Sequence, residues 1–389
     1  MAEVKIQSGI IMTGAGEAQL EHTLAIPSPD PGQVLIKVRA IALNTPDWMA
    51  LDYFGRPGAG MGFDFAGEVV EIGANGGIWI IGDRVAGFVH ACMFSPLKLP
   101  TWTNEIPILG HAANYANGSF REYLLADADL LIRLPGHLSF AEASTLGMGV
   151  STTAQALYQW LPLPLPTCDA TLFNETILIY GGSTATGSIA IQLAKLSGLR
   201  VITTCSQQHI PWLRSLGADE VIDYRNPDAT ETIRTLVQKD GLYSILDCIA
   251  TAETAAFCYK CFSVPPHASE QPPSLVYAGL MVPPEEPPRP NFLPPSVEIH
   301  SVWNIVYTCF GRRFTMINEE IGLKRTWEAS ASDKGFMVTF YRRVEEFLQN
   351  KMLQPMPIEV RNGGLAGALE GVSEVRQGRV RGKKLVYEL

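Results

Sequence analysis

"ILIYGGSTATGSIAIQLAKLSGLRVITTCS", Ile177 to Ser206, decides the fold. An apolar run ends in a double glycine, a helix-periodic segment follows, and a second β-branched run closes the stretch. This is the strand–turn–helix–strand opening of a dinucleotide-binding unit. On the G-x-G-x-x-G spacing, Gly182 and Gly187 take the outer positions and Thr184 the middle one. Gly182 serves the tight turn, and Gly187 lets helix and strand pack closely. A threonine in the middle crowds the approach of backbone to a pyrophosphate but offers a hydroxyl. Ser183, Thr184 and Thr186 can bond phosphate oxygens at the helix N-terminus, which already favours anions. Such a fingerprint gains weight from its place between a strand and a helix. A tight turn without a ligand is the plain alternative.

In NAD enzymes a carboxylate about 20 residues further on grips the ribose hydroxyls. That place holds Cys205 and Ser206, so a 2′-phosphate is expected to meet no repelling carboxylate. Ser206, Gln207 and His209 can donate to it, Tyr224 adds a hydroxyl and Arg225 a charge. The expected cofactor is NADPH, and a solvated strand end is the alternative.

From Asn174 onward, strands (ETILIYG, LRVITTC, EVIDY, YSILDCI, SLVYAG) alternate with the amphipathic segments HIPWLRSLGA and DATETIRTLVQK at the βαβ spacing. Residues 1 to about 140 are β-rich, with Gly at the bends. From Ser139, which has Glu142 three residues on, the pattern turns helical. After a proline-rich stretch, GFMVTFYRRVEEFLQNKM reads as a long helix and RVRGKKLVYEL as a final strand. SLVYAG is the last recognisable strand of the alternating region. Prolines flank it on both sides, and proline gives no N–H to a ladder, so edge pairing is not expected and the chain is expected to be a monomer.

The chain has 389 residues, 47% of them hydrophobic, which suits two globular domains. A net charge of -9 argues against nucleic acid or an anionic membrane as the main partner. No apolar run is long enough to span a bilayer, and MAEVKIQSGI lacks the features of a signal peptide. A cytoplasmic location is therefore expected, with the seven cysteines as thiols. Cys258 and Cys261 form a CxxC with no second ligand pair and read as buried helix thiols. The sequons at Asn117 and Asn174 carry little meaning in a cytosolic chain.

ALNTPDW, GFDFAGEVVEIG, GDRVAGF, GSFREYLLAD, GGSTATGSIAIQLAK, GADEVIDYRNPD and GKKLVYEL together resemble the medium-chain dehydrogenase/reductase superfamily over essentially the whole length. YGGSTATG, TTCS, LDCI with the following FC, and LPLP before the first Rossmann strand resemble the trans-acting enoyl reductases of fungal polyketide synthases. The resemblance implies an α/β fold in which a doubly wound Rossmann domain (141–304) is inserted into a β-rich GroES-like catalytic domain (1–140 and 305–389), with a cleft between them. It further implies a cofactor that touches Pro46, Asp47, Trp48 and Met49; Gly182 and Ser183, Thr184, Ala185, Thr186, Gly187, Ser188, Ile189 and Ala190; Ser206, Gln207, Gln208 and His209; and Tyr224, Phe262, Val380 and Arg381. The acyl substrate is implied to lie along Leu146, Gly147, Met148, Gly149, Val150, Ser151, Thr152 and Thr153, and along Thr308, Cys309, Phe310, Gly311 and Arg312.

Zinc alcohol dehydrogenases carry Gly-His-Glu where this chain has Gly62-Phe63-Asp64. Phe63 cannot ligate, so no metal is expected, and reduction of an activated C=C bond is favoured over alcohol oxidation. Met49 stands where similar enoyl reductases often have lysine, and no proton donor is evident. The expected function is a trans-acting, NADPH-dependent enoyl reductase working on a chain tethered to the carrier domain of a polyketide synthase or polyketide–peptide hybrid synthase. A free-standing quinone or enone reductase, or a non-reducing binding or cyclisation-assisting protein, are the alternatives. The carrier is expected to meet a basic patch of Arg376, Arg379, Arg381, Lys383 and Lys384.

Overall fold

A computed structural model describes residues 5–90, 118–169, 175–265, 274–281, 287–303, 305–318 and 323–389. Asn117 and Asn174 lie outside the described residues. The first elements are β1 (Ile6–Gly14), β2 (Glu17–Ala25), β3 (Gln33–Ala42), α1 (Thr45–Phe54), β4 (Asp64–Ile72), β5 (Arg84–Phe88), β6 (Tyr123–Asp127), β7 (Ile132–Arg133), α2 (Phe140–Ala143) and α3 (Gly147–Gln155). Next come β8 (Thr176–Tyr180), α4 (Ala185–Leu196), β9 (Arg200–Cys205), α5 (Ile210–Ser215), β10 (Glu220–Asp223), α6 (Ala229–Val237), β11 (Ser244–Asp247), α7 (Ala252–Cys261), β12 (Leu275–Gly279) and β13 (Ile299–Trp303). The last are β14 (Phe314–Asn318), β15 (Leu323–Trp327), α8 (Ala331–Gln349), β16 (Ile358–Arg361), α9 (Gly364–Arg376) and β17 (Lys384–Glu388). Among the described residues no helix is long and apolar enough to cross a membrane.

The chain forms two compact units. One comprises Met1–Met148, Tyr307–Gln349 and Pro357–Leu389, and the other Gly149–Val306 and Asn350–Met356. The first division falls at 148/149 because α2 packs on β3 and β4 of the first unit. The short return of 350–356 to the second unit was not expected. Gln192 fixes it, giving its Nε2 to the Gln354 carbonyl (3.0 Å) and taking the Gln354 N–H on Oε1 (2.8 Å).

The second unit is built on a parallel sheet of order β10-β9-β8-β11-β12-β13. Strand order reverses beside β8, as in doubly wound dinucleotide folds. All five residues of β8 are buried, the mark of a strand covered on both faces. Cys258, Cys261 and Phe262 belong to the core under this sheet, and burial pushes both thiols up from their ordinary range. The expectation that SLVYAG ends the sheet is corrected. β13 pairs in register with β12 from Leu275↔Ile299 to Gly279↔Trp303 and forms the edge. It escaped notice because IHSVW is short and polar in its middle, and prolines precede it. β13 contains no proline, so the proline argument for a monomer loses its premise.

The first unit centres on a seven-stranded sheet running β16-β17-β3-β4-β5-β7, with β6 also on β3. β3 and β17 are antiparallel, so the C-terminal strand joins the N-terminal half. Ala40, Ala42, Ala141 and Val386 pack together where α2 meets this sheet. α2 opens as expected: the Glu142 N–H donates to Ser139 Oγ at 3.1 Å, and the Ser139 N–H donates to the Glu142 carboxylate at 2.9 Å.

The expected basic patch is not a set of free cations. Lys384 is buried against Asp64 at 2.5 Å, Arg376 is bound to Asp52, and Lys383 to Glu359. β17 is buried on both faces over Lys384 to Tyr387, so Lys384 meets Asp64 inside the unit, which a count of charges does not reveal.

Candidate active site

Thr184 is the N-cap of α4. Its hydroxyl donates to the Gly181 carbonyl (2.9 Å) and accepts the Gly187 N–H (2.9 Å). The middle position of the fingerprint is thus engaged in capping the helix. The left-handed residue of the turn is Gly181 (φ 81), not Gly182. Gly182 serves close packing: a Cβ there would lie 2.2 Å from Thr203 Oγ1. At Gly187 a Cβ would lie 2.3 Å from the Gly181 carbonyl oxygen. The Ser183 hydroxyl makes no hydrogen bond among the described residues. With the first-turn amides of α4 beside it, the donor set fits a pyrophosphate. Ser188, Ile189 and Ala190 are buried within α4, so their side chains face the fold and not the turn. The Phe262 ring is fully buried in the core of the second unit.

At the end of β9, Ser206 is half-buried and Gln207 and Gln208 are exposed. His209 stands 3.2 Å from Gln208 Nε2. Tyr224 is exposed, its ring 6.0 Å from that of Tyr180. A carboxylate does sit at this end, supplied by the neighbouring strand: Asp223 pairs in register with Cys205. Arg225 binds it on both oxygens, Nε to Oδ1 at 2.9 Å and Nη2 to Oδ2 at 2.7 Å. These bonds, with further ones from the Arg225 and Gln207 backbone, hold Asp223 down at about 2. The Arg225 charge expected here is thus spent on Asp223, a carboxylate not foreseen at this end. The signal was EVIDY itself, since a parallel strand ends level with its neighbour.

In the first unit, Pro46, Asp47, Trp48 and Met49 form the first turns of α1, with Pro46, Trp48 and Met49 half-buried. Asp47 is 1% exposed. Its Oδ2 accepts the Asn44 N–H at 2.6 Å, and Oδ1 has no hydrogen-bond partner among the described residues. Burial, seconded by the nearby Asp64 carboxylate and opposed by the Asn44 N–H, raises Asp47 from the ordinary carboxyl range to about 8. Asp64, fully buried, accepts three bonds: Met148 N–H on Oδ1 (2.7 Å), and Lys384 Nζ (2.5 Å) and Asn44 Nδ2 (3.0 Å) on Oδ2. This cluster was not foreseen beyond Asp47. Phe63 is fully buried, its ring 5.8 Å from that of Tyr307. Among the described residues no group of three or more His, Cys, Asp or Glu is placed to hold a metal.

The segments assigned to acyl binding are mostly buried. Leu146, Met148, Val150, Ser151 and Thr153 are all buried, as are Thr308, Cys309 and Phe310. Thr153 Oγ1 donates to the Thr186 carbonyl at 3.2 Å, tying α3 to the start of α4 within the second unit. Gly147, Gly149 and Thr152 lie on the same helix. Gly311 turns the chain at φ 67, and Arg312 beyond it pairs with the buried Asp127 at 2.5 Å. His90, which sequence reasoning did not single out, stacks on Tyr307 at 4.1 Å. Burial, then the Arg312 charge, holds its imidazole neutral. Val380 is half-buried, and the exposed Arg381 gives Nε to the Gly378 carbonyl at 3.2 Å.

Residues 30–136 match the alcohol dehydrogenase GroES-like domain, and residues 185–264 match the zinc-binding dehydrogenase domain. The trans-enoyl reductase caaB of Aspergillus niger is 36% identical over 98% of this chain and 96% of its own. The chain belongs to the trans-enoyl reductases. A second member of the family, resD of Aspergillus sclerotiorum, is 34% identical over 98% of this chain and 99% of its own. Among solved structures, the CurK enoyl reductase superposes with a TM-score of 0.68 at 15% identity, covering 98% of this chain and 99% of its own. The quinone oxidoreductase of Coxiella burnetii superposes with a TM-score of 0.62 at 22% identity, covering 99% and 100%. Both show the medium-chain dehydrogenase/reductase fold. The family is one of oxidoreductases that use a nicotinamide cofactor.

Proposed function

We propose that this chain reduces an α,β-unsaturated polyketide thioester with NADPH, in trans, on a substrate delivered by the carrier domain of a polyketide synthase or polyketide–peptide hybrid synthase. The observation that carries the reading is the end-to-end likeness to relatives named trans-enoyl reductase, joined to a capped βα turn whose donors suit a pyrophosphate.

Bound NADPH supplies a hydride to Cβ of the enoyl thioester. The π electrons move onto the carbonyl oxygen, and a proton closes the reaction at Cα. The chain's part is to hold the reacting atoms together and meet the developing charge. Ser183 and the α4 amides would hold the pyrophosphate. Ser206 and Gln207 would donate to a 2′-phosphate, and Arg225 neutralises Asp223 at the same strand ends, which would favour NADPH over NADH. Phe63 offers no ligand where zinc relatives have histidine, so hydrogen-bond donors must stabilise the enolate oxygen.

The test is NADPH oxidation with a crotonyl-pantetheine thioester, followed by the same substrate on a carrier protein. Turnover on the thioester, faster on the carrier, supports the reading. Turnover on small quinones alone favours a free-standing reductase. NADPH binding with no turnover favours a non-reducing role. Slow turnover marks a weakened reductase, in which Met49→Lys is expected to leave binding intact and raise kcat.

A further inference from the structure

Asp64 holds two segments that the proposed reaction needs, and nothing in the zinc-free chemistry otherwise calls for a carboxylate there. It follows Phe63, at the start of β4, and is fully buried. One oxygen receives the N–H of Met148, in the first turn of α3. The other receives the side chain of Asn44, immediately before α1, and the ammonium of Lys384 at the start of β17. Lys384 also reaches the Thr145 carbonyl at 3.4 Å. The start of α1, which carries Pro46 to Met49, and the residues leading into α3 are therefore referred to a single buried carboxylate. Asp47 stands beside it, so the cluster contains two carboxyls and one ammonium. A dry cluster of that composition is electrically neutral only with one proton bound, and the carboxyl that keeps it is Asp47, the one without the ammonium contact.

We propose that Asp64, charge-balanced by Lys384, is a positioning residue of the reductase: it sets α1 for the cofactor and the entry to α3 for the acyl chain. The role rests on the functional reading above.

The test is the double variant Asp64→Asn/Lys384→Met, which removes both charges together so that no ion is left buried alone. Thermal unfolding reports folding, quenching of intrinsic tryptophan fluorescence reports NADPH affinity, and crotonyl-pantetheine reduction reports kcat and KM. The double variant is expected to fold, to bind NADPH at least tenfold more weakly, and to lose kcat at saturating cofactor by a similar factor. A merely structural pair would lower thermal stability and leave the kinetic constants of the folded fraction unchanged. A folded variant whose NADPH affinity and kcat both stay within twofold of the wild type overturns the role. Should the double variant not fold, Asn44→Ala removes the amide's bonds to Asp64 and to the Ala42 carbonyl and keeps the ion pair. It is expected to weaken NADPH binding about threefold, and unchanged binding there overturns the role equally. A wild type that binds no NADPH overturns the functional reading and the positioning role with it. A wild type that binds and reduces, beside a folded variant that matches it, overturns the positioning role alone.

Discussion

The glycine turn of the second unit and the carboxylate cluster of the first do comparable work by opposite means. Around the turn, the residues that matter lie within Gly181 to Gly187, and bonds between neighbours hold it, such as Thr184 to Gly181 and Gly187. The cluster gathers Asn44, Asp47, Asp64, Met148 and Lys384, with Asp64 and Lys384 separated by 320 positions. A local device is written in consecutive letters and a distributed one is not. The distributed one also tolerates less, because each charge is buried and depends on a partner from another strand.

The largest effect that separates the two is expected at Lys384. Lys384→Met leaves Asp64 as an uncompensated buried carboxylate and is expected to cost about 3–5 kcal/mol, measured by denaturant unfolding. A loss below about 1 kcal/mol would mean that the cluster is far wetter than its burial indicates.

Asp47 gives a pH signature that the turn lacks. Its folded value of about 8 lies above the ordinary carboxyl value of 3.8, so the fold favours the protonated form. Stability from this group is therefore fully present below the ordinary value and is lost as pH rises toward about 8, by at most ~1.4 kcal/mol per pH unit. Asp64 and Lys384 are the charged groups that tune it. Asp47→Asn mimics the protonated form and is expected to flatten this dependence in unfolding curves taken between pH 5 and 8. An unchanged slope would place the proton elsewhere.

Next in size is Gly187→Ala. The added carbon would meet backbone, the Gly181 carbonyl, at 2.3 Å, so the turn must open. A loss of about 1–3 kcal/mol is expected, with NADPH binding lost in parallel; retained binding would dissociate the turn from the cofactor.

The smallest effect concerns cofactor choice. Arg225→Ala frees the Asp223 carboxylate at the ribose end. It is expected to weaken NADPH about tenfold, or ~1.4 kcal/mol, while NADH gains, as read from the two dissociation constants. Equal weakening of both would assign Arg225 to loop structure alone.

The same contrast explains what the sequence disclosed. The strand–turn–helix spacing, the Ser139 and Glu142 cap and the buried thiols of α7 were legible because period and neighbour chemistry determine them. Phe63 was legible as a non-ligand because residue type alone decides it. β13 was not, since its pairing comes from β12 and not from its own polar middle. Asp223 needed the parallel register with Cys205, and Lys384 needed the place of Asp64, 320 positions away. The roles of Thr184 and Gly181 needed backbone angles, which the G-x-G-x-x-G spacing does not distinguish.

The central claim is hydride delivery from NADPH to a tethered enoyl chain. Reduction of a carrier-bound enoyl thioester with NADPH deuterated at the nicotinamide C4, followed by mass and NMR analysis of the released acyl chain, tests it directly. One deuterium at Cβ and a solvent-derived hydrogen at Cα are predicted. Product without deuterium at Cβ from either C4 diastereomer of the labelled cofactor, or an unreduced chain beside bound NADPH, would contradict it.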